Sequence, residues 1–268
     1  MLGLGNSLSS FGAGSPATQG SPAPSGNTNS YSILLDGTND YLTQPDGDNI
    51  LQTFSGANVN ASLSFYLKIS NQQSFIFYKG QHNNAMYMQL QTNSGGDLHL
   101  YILDGYDQGI VVLNRRWDTN FSVDTWYHVV ITTDGSATNR VTKCYVNGAE
   151  KTANFGNDNV ASSVDLEEST LASPFYFGYQ PHYGNFSEIY FDQVATWTSV
   201  LTQSAITEIY TNNPDLTSDS GNYRASSSLD RYHKIEENTG TTSVDSSGNS
   251  NAPLTLVNGA AWSTDKPW

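Results

Sequence analysis

Two carboxylates on one predicted strand are the residues whose spacing could support hydrolysis. Glu188 and Asp192 lie four residues apart in an alternating run, so they share one face of a strand. At the rise of a β-strand they are separated by roughly 13 Å, whereas paired glycosidase carboxyl groups lie about 5 to 9.5 Å apart. Tyr190 occupies the position between them, where a further carboxylate would be needed. The pattern predicts that this strand is not catalytic and that the protein is not an enzyme.

Four oxygen-bearing side chains form a candidate calcium site. Ca²⁺ prefers carboxylate and amide oxygens, which the chain offers at Asp36, Asn39, Asp40 and Asp192. The alternative is that the first three are turn residues bonded to their own backbone, and that Asp192 is a structural acceptor. Ca²⁺ is the one cofactor that the sequence suggests, since it contains no nucleophile-elbow, phosphate-loop or zinc-spaced motif.

Aromatic residues in two predicted loops are candidates for ligand binding. Tyr179, His182 and Tyr183 lie in a loop with Gln, Asn and Phe, and Tyr106 lies in a second loop with Asp, Gly and Gln. Loops at the ends of a β-sandwich often form recognition surfaces. Tyrosine is also enriched in contacts between proteins. The sequence of these loops is compatible with glycan binding, with protein contact and with neither role.

Short alternating segments bounded by turn residues must position these side chains, and they predict an all-β protein. One short helix is predicted at residues 203–211, capped by Thr202 or Ser204 and ended by Pro214. The strands are predicted at residues 31–35, 61–69, 74–78, 85–91, 98–103, 109–113, 126–133, 141–146, 175–179, 187–197, 229–235 and 254–257.

A hairpin signal specifies how some of these strands pair. The run from Trp126 to Asp134 alternates between two faces, and His128 within it is expected to be structural. The pair Asn147-Gly148 follows the next run, and both residues tolerate the positive φ of a type I′ turn. We therefore expect adjacent antiparallel strands in a two-sheet jelly-roll sandwich.

Composition excludes several classes of partner. The chain of 268 residues carries 25 acidic and 11 basic side chains and a net charge of −14. This charge repels nucleic acid and anionic lipid, so neither is expected as a partner. No apolar run approaches the roughly 20 residues that cross a bilayer. The single cysteine, Cys144, excludes an intramolecular disulfide and is expected to be buried and inert.

The first 30 residues differ from the rest, because Gly, Ser, Pro, Ala and Thr dominate them. This composition cannot bury enough apolar area to fold alone, so residues 1–30 are predicted to be an extended N-terminal arm and residues 31–268 the folded domain. The start of the chain also lacks the basic and apolar regions of a secretory signal. We expect the arm to contact another subunit, and thus a homo-oligomer.

Four ordered motifs resemble the laminin-G-like, concanavalin A-like lectin/glucanase jelly-roll family. They are LDGTNDYL at residues 35–42, WYHVVITTDG with YVNG at 126–148, FGY to IYFDQVA at 177–195, and DSSGNSN with LVNGAAW at 245–262. The resemblance implies a concanavalin A-like sandwich. Gln193 departs from the pattern where an acidic residue is usual, and residues 154–172 resemble an insertion.

The opening MLGLGNSL resembles the start of marine bacteriophage virion proteins that carry such a jelly roll. It implies a non-enzymatic virion component, either a capsid decoration or a head or tail fibre, made in the host cytoplasm. Its arm would bind other virion proteins, and its domain would display a surface for host or environmental glycans. The alternative is a stand-alone carbohydrate-binding module, lectin-like and Ca²⁺-dependent.

Overall fold

A computed structural model describes residues 28–45, 58–80, 87–104, 110–136, 138–157 and 173–268. Within these residues the helical elements are α1 (Gln203–Asn212) and a 3₁₀ turn (Ser226–Ser228). The strands in chain order are β1 (Ser32–Asp36), β2 (Tyr41–Gln44), β3 (Ala61–Ile69), β4 (Phe75–Gly80), β5 (Tyr87–Thr92), β6 (Leu98–Asp104), β7 (Ile110–Trp117), β8 (Trp126–Asp134), β9 (Val141–Val146), β10 (Ala149–Glu150), β11 (Ala153–Asn157), β12 (Phe175–Phe177), β13 (Tyr179–Gln180), β14 (Asn185–Phe186), β15 (Glu188–Trp197), β16 (Leu229–His233), β17 (Thr242–Ser243), β18 (Leu254–Val257) and β19 (Ala261–Ser263).

These strands form two large antiparallel sheets and a small hairpin. The eight-stranded sheet runs β10-β9-β8-β3-β15-β1-β19, with β16 also paired to β15. The nine-stranded sheet runs β11-β7-β6-β5-β4-β12-β2-β18-β17, and β13 pairs with β14. The predicted all-β jelly-roll sandwich with one short helix is confirmed for the described part of the chain. Thr202 caps α1 by accepting a hydrogen bond from the Ala205 backbone N–H.

The main core lies between the two sheets. Along β3, Leu63, Phe65 and Leu67 face this core, as the alternation predicts, and Leu90 of β5 and Leu100 of β6 meet them from the other sheet. Every residue of β3 is nevertheless buried. Its second face must therefore also be covered.

A second apolar cluster covers that outer face of the eight-stranded sheet. Trp197 and Ala195 of β15 pack with Ile206 and Ile209 of α1. The C-terminal segment covers the neighbouring part, where Trp268 packs edge-on against Tyr66 with ring centroids 4.6 Å apart. The helix and the chain end thus form a third layer on this side of the sandwich.

The hairpin prediction is confirmed in detail. Asn147 and Gly148 have φ values of 51° and 77° and form the turn between the antiparallel strands β9 and β10, and β8 pairs antiparallel with β9. Asn147 also accepts a hydrogen bond at Oδ1 from the His128 backbone N–H, at 2.9 Å. Cys144 is buried in the main core, and burial raises the pKa of its thiol.

The strands that sequence reasoning overlooked are mostly short. The bounds of β3, β9 and β18 match the prediction, and most others differ by a few residues at their ends. The structure adds β2, β10, β11, β14, β17 and β19, and it divides the strand predicted at 175–179 after Phe177. Gly178 at the break has a φ of 73°, which ends regular strand geometry. None of the helices in the described ranges is long and apolar enough to cross a membrane.

Two residues before the predicted boundary at residue 31 contact the folded domain. Asn29 is buried and donates from Nδ2 to Asp192 Oδ2, while the Ser30 backbone N–H donates to Glu236 Oε1 at 2.9 Å. Asn29 therefore belongs to the packed domain. Residues 1–27 lie outside the described residues.

Candidate functional site

The outer face of the nine-stranded sheet carries a polar and aromatic groove. Along β5, Met88 and Leu90 enter the core, so Tyr87, Gln89 and Gln91 project to the opposite side. Two adjoining cavities of about 320 and 590 Å³ open there. Together they define the groove, which is lined by Gln73, Ser74, Phe75, Tyr87, Gln89, Gln91, Thr92, Asn93, His99, Tyr101, Arg116, Gln180, Tyr183, Asn185 and Phe186.

A β-bulge places the aromatic ring of Phe75 in the groove. The pairing of β4 with β5 shifts register between Phe75 and Phe77. Ile76 and Phe77 both enter the core as a result, although they are adjacent in sequence. A bulge adds one residue to a strand and redirects the side chains beside it. Phe75 consequently lines both cavities.

Hydrogen bonds hold the floor of the groove in a defined arrangement. Gln89 donates from Nε2 to Gln91 Oε1 at 2.6 Å, and His99 Nε2 lies 2.5 Å from Asn114 Oδ1. The His99 and Tyr101 rings are in contact, with centroids 3.8 Å apart. These polar groups are oriented before any ligand arrives, which lowers the entropic cost of binding.

The β13–β14 hairpin forms one wall of the groove and contains a buried amide. Gln180 is 1% exposed, and its Oε1 accepts a hydrogen bond from the Tyr183 backbone N–H at 2.7 Å. Its Nε2 finds no hydrogen-bond partner among the described residues. A buried donor left unpaired costs about 1–3 kcal/mol. Gln180 is therefore the groove residue with an evident need for an acceptor.

Burial keeps the titratable floor residues neutral near pH 7. Burial raises the pKa of Tyr87 to about 12, and it lowers the pKa of His99, with the nearby Arg116 charge acting in the same direction. Among the lining residues that the structure describes there is no Asp or Glu, and Arg116 is the permanently charged side chain. The lined surface is thus neutral to positive, in a chain whose net charge is −14.

The predicted ligand-binding residues occupy different positions relative to the groove. Tyr183 lines it and is 63% exposed. His182 is exposed and contacts the Tyr183 ring edge-on, at 4.4 Å between centroids. Tyr179 instead stacks on Phe186 at 4.4 Å and on Tyr41 at 5.1 Å, so it supports the wall. Tyr106 lies outside the described residues.

The four predicted calcium ligands are not brought together. The Asp40 carboxylate accepts the Asp36 backbone N–H at 2.8 and 2.9 Å, and Asp36 accepts the Thr38 N–H at 2.8 Å. These are the bonds of the turn alternative, and Asn39 in the same turn is exposed. In the described ranges no group of three or more His, Cys, Asp or Glu side chains is arranged to hold a metal ion.

The register between β1 and β15 keeps Asp192 away from that turn. Asp36 pairs with Glu188, which is four residues, or roughly 13 Å, from Asp192 along β15. Asp192 is fully buried, accepts the hydrogen bond from Asn29, and has a pKa raised well above its ordinary value by burial. It fits the structural-acceptor alternative. The Glu188–Asp192 pair also belongs to the other sheet, so it does not line the groove.

Most groove residues were missed by sequence reasoning. The alternation in the segments around Gln89 and Tyr101 identifies two faces, but it does not show which outer face of a sandwich stays uncovered. A usable signal was present, since the outward positions of β5 and β6 are aromatic, amide or imidazole groups instead of charged ones. The residues missed include Phe75, Tyr87, Gln89, Gln91, His99, Tyr101, Arg116 and Gln180.

Comparisons with solved structures agree with this architecture. A candidate carbohydrate binding protein from Bacteroides ovatus superimposes with a TM-score of 0.56 at 18% identity, covering 88% of this chain and 60% of that one. The chain thus spans less than two thirds of that protein. A SAP-like pentraxin from Limulus polyphemus gives a TM-score of 0.46 at 15% identity, over 87% and 96% of the two chains. The CBM40 of Ruminococcus gnavus IT-sialidase bound to α2,3-sialyllactose gives 0.48 at 12% identity, over 67% and 96%.

At these identities the structural likeness concerns the fold alone. No protein with a curated description matches the sequence. A laminin-G family model, described as the concanavalin A-like lectin/glucanases superfamily, matches residues 36–207, which is well over half of the chain. The match includes β5, β6 and the β13–β14 wall of the groove. By this match the chain belongs to the concanavalin A-like lectin/glucanase superfamily.

Proposed function

We propose that this protein binds glycans non-covalently in the groove of the nine-stranded sheet. The observation that carries the proposal is Gln180, a buried amide in the groove wall whose Nε2 has no partner among the described residues. A ligand oxygen would supply the missing acceptor. The predicted alternative of no binding would leave this donor unexplained; protein contact could also supply an acceptor, and the chemistry of the rest of the groove favours a sugar over it.

The groove has the two chemical features that a sugar ring requires. Its aromatic rings, such as Phe75 and Tyr101, offer apolar faces against the C–H groups of the ring. The amides of Gln89 and Gln91 offer donors and acceptors that match hydroxyl groups. Specific ligand sites commonly combine such an apolar lining with a few fixed polar groups.

The proposal includes binding without hydrolysis. Glycosidases use a pair of carboxyl groups on either side of the scissile bond. The lining residues that the structure describes contain none, and the best carboxylate pair in the sequence, Glu188 and Asp192, belongs to the opposite sheet.

The test is glycan binding by wild-type protein and by Gln180→Ala, on an array and then by calorimetry with the strongest ligand. We expect the variant to bind roughly 5- to 150-fold more weakly, because a buried ligand oxygen left without its donor costs about 1–3 kcal/mol. The matched control is Gln203→Ala, which removes an exposed amide from α1 on the other side of the sandwich.

Equal affinity of both variants would contradict the proposed site, and an array without any bound glycan would contradict glycan binding itself. Repeating the array with EDTA tests the predicted Ca²⁺ dependence. Location in a virion, assembly with other virion proteins and the homo-oligomer stay sequence-based predictions.

A further inference from the structure

Charge is distributed unevenly between the groove and the rest of the molecule. The chain carries 25 acidic and 11 basic side chains, yet the described groove lining contains a guanidinium and not one carboxylate. A groove for neutral sugars has no need to exclude acidic side chains, and Asp and Glu are common hydroxyl acceptors. Their exclusion here indicates a ligand that carries negative charge.

Arg116 has a fixed position at one end of the groove. It pairs with His99 across β6 and β7, and its Nε donates to Asn154 Oδ1 at 2.8 Å, which orients the guanidinium plane. Its positive charge acts on both neighbouring rings, since it lowers the pKa of His99 and opposes the burial that raises the pKa of Tyr101. The charge is therefore felt inside the groove and not only at its rim.

The second fixed donor lies in the wall. The unpaired Nε2 of Gln180 requires an acceptor, and Arg116 offers donors only. Carboxylate and sulfate groups are acceptors only, and a planar guanidinium binds them through paired, charge-assisted hydrogen bonds. Neutral hydroxyl groups also accept hydrogen bonds from these donors, but those bonds lack the additional strength of charge assistance.

We propose that the groove selects anionic glycans, with a carboxylate or sulfate of the glycan bound at Arg116 in one cavity and an oxygen of another sugar unit bound at Gln180 in the adjoining cavity. This inference rests on the proposed glycan binding and adds the class of ligand. The net negative charge of the molecule disfavours polyanions elsewhere on its surface. Arg116 would thus decide both the location and the selectivity of binding.

The experiment compares matched charged and neutral polymers. Immobilised polygalacturonate, its methyl ester, alginate, its propylene glycol ester, carrageenan and agarose are probed with wild type, Arg116→Gln, Arg116→Lys and Lys143→Gln. Lys143→Gln removes the same charge from an exposed position on the opposite sheet and is the matched control. Thermal melting checks that each variant is folded.

We expect wild type and Lys143→Gln to prefer a charged polymer over its neutral partner by at least about tenfold, and Arg116→Gln to lose that preference. Arg116→Lys should retain part of it, because lysine keeps the charge but not the planar fork. The polygalacturonate and carrageenan pairs distinguish carboxylate from sulfate.

Equal binding of charged and neutral polymers by wild type would overturn the inference and leave glycan binding standing. A preference that survives Arg116→Gln would overturn the role of Arg116. Failure of wild type to bind any of the six polymers or any arrayed glycan would overturn both the inference and the proposed function.

Discussion

The role of a buried polar residue in this protein depends on the groups that bury it. Gln180 and His128 are both buried polar side chains, but they are buried by different surroundings. His128 lies under α1, with its Nε2 2.8 Å from Ser64 Oγ and its ring stacked 6.1 Å from that of Tyr210. Gln180 lies in the wall of an open groove. Only the second can meet a ligand, so the expectation that His128 is structural agrees with its position.

Burial of His128 should make stability depend on pH. Burial lowers the pKa of His128 to about 3, from an ordinary value near 6.5. Between these values the unfolded chain binds a proton that the folded protein does not, so the free energy of unfolding falls as pH falls, by up to about 1.4 kcal/mol per pH unit. Urea unfolding between pH 7.5 and 4.5 should show a smaller slope for His128→Gln than for wild type.

His182→Gln is the control for that experiment, because it removes an exposed histidine from the β13–β14 loop. It should reproduce the wild-type slope. If His128→Gln also reproduced it, the buried imidazole would not be the source of the pH dependence.

At the scale of elements, the β5–β6 hairpin contributes more of the groove lining than any other element. Gln89 and Gln91 come from one strand, and His99 and Tyr101 come from the other. Asn93 closes the turn between them, where its Oδ1 accepts the backbone N–H groups of Gly95 and Asp97 at 2.8 and 2.9 Å. The geometry of this one turn therefore sets the register of four groove side chains.

Gly96 in that turn should tolerate no side chain. Its φ is 78°, and a Cβ there would lie 2.4 Å from the Phe121 carbonyl oxygen. We expect Gly96→Ala to lower the free energy of unfolding by more than about 1 kcal/mol and to weaken glycan binding as the hairpin shifts. Chemical denaturation and calorimetry measure the two effects.

The neighbouring Gly95→Ala is its matched control, because Gly95 has no positive φ and the nearest atom to its added Cβ would be Asn93 Oδ1 at 3.3 Å. Similar losses in both variants would show that the turn, and not the crowding at Gly96, is responsible.

At the scale of the molecule, the described residues cover the outer face of one sheet and leave a groove on the outer face of the other. The helix and the C-terminal segment lie on the eight-stranded sheet, and the groove lies on the nine-stranded sheet. Asn29, a buried residue of the predicted arm, donates a hydrogen bond to Asp192 on the covered side. An attachment through the arm would therefore hold the domain by the face opposite the groove and leave the groove accessible.

Deletion of residues 1–27 tests the arm. Because this stretch is rich in Gly, Ser and Pro and the deletion keeps Asn29, we expect the free energy of unfolding to change little. If the chain is a virion component anchored by its arm, the deletion should abolish incorporation into particles. Asn29→Ala should do the reverse, losing about 1–3 kcal/mol of stability while keeping incorporation. Undiminished incorporation of the deleted form would contradict an anchoring arm.

Local patterns in the sequence were sufficient to predict the fold class. The alternation of β3, the positive-φ pair Asn147-Gly148 and the cap at Thr202 each depend on residues close together in the chain. Their physical causes are local, namely strand pleat, turn sterics and capping, so they could be predicted without tertiary information. The four ordered motifs, by their resemblance to a known family, indicated the family without tertiary information as well.

The candidate site depended on tertiary structure, because it joins strands β4 to β7 with the β13–β14 hairpin, which is distant in sequence, on a sheet face that the other described residues leave open. The bulge beside Phe75, the burial of Gln180 and the position of Arg116 all arise from pairing between β4, β5, β6 and β7 and from the hairpin wall. Register likewise separated Asp192 from Asp36. The sequence by itself determined the longer strands and the two faces of each, because pleat and turn chemistry are local, and only the packing of the described residues decided which face would be left open to a ligand.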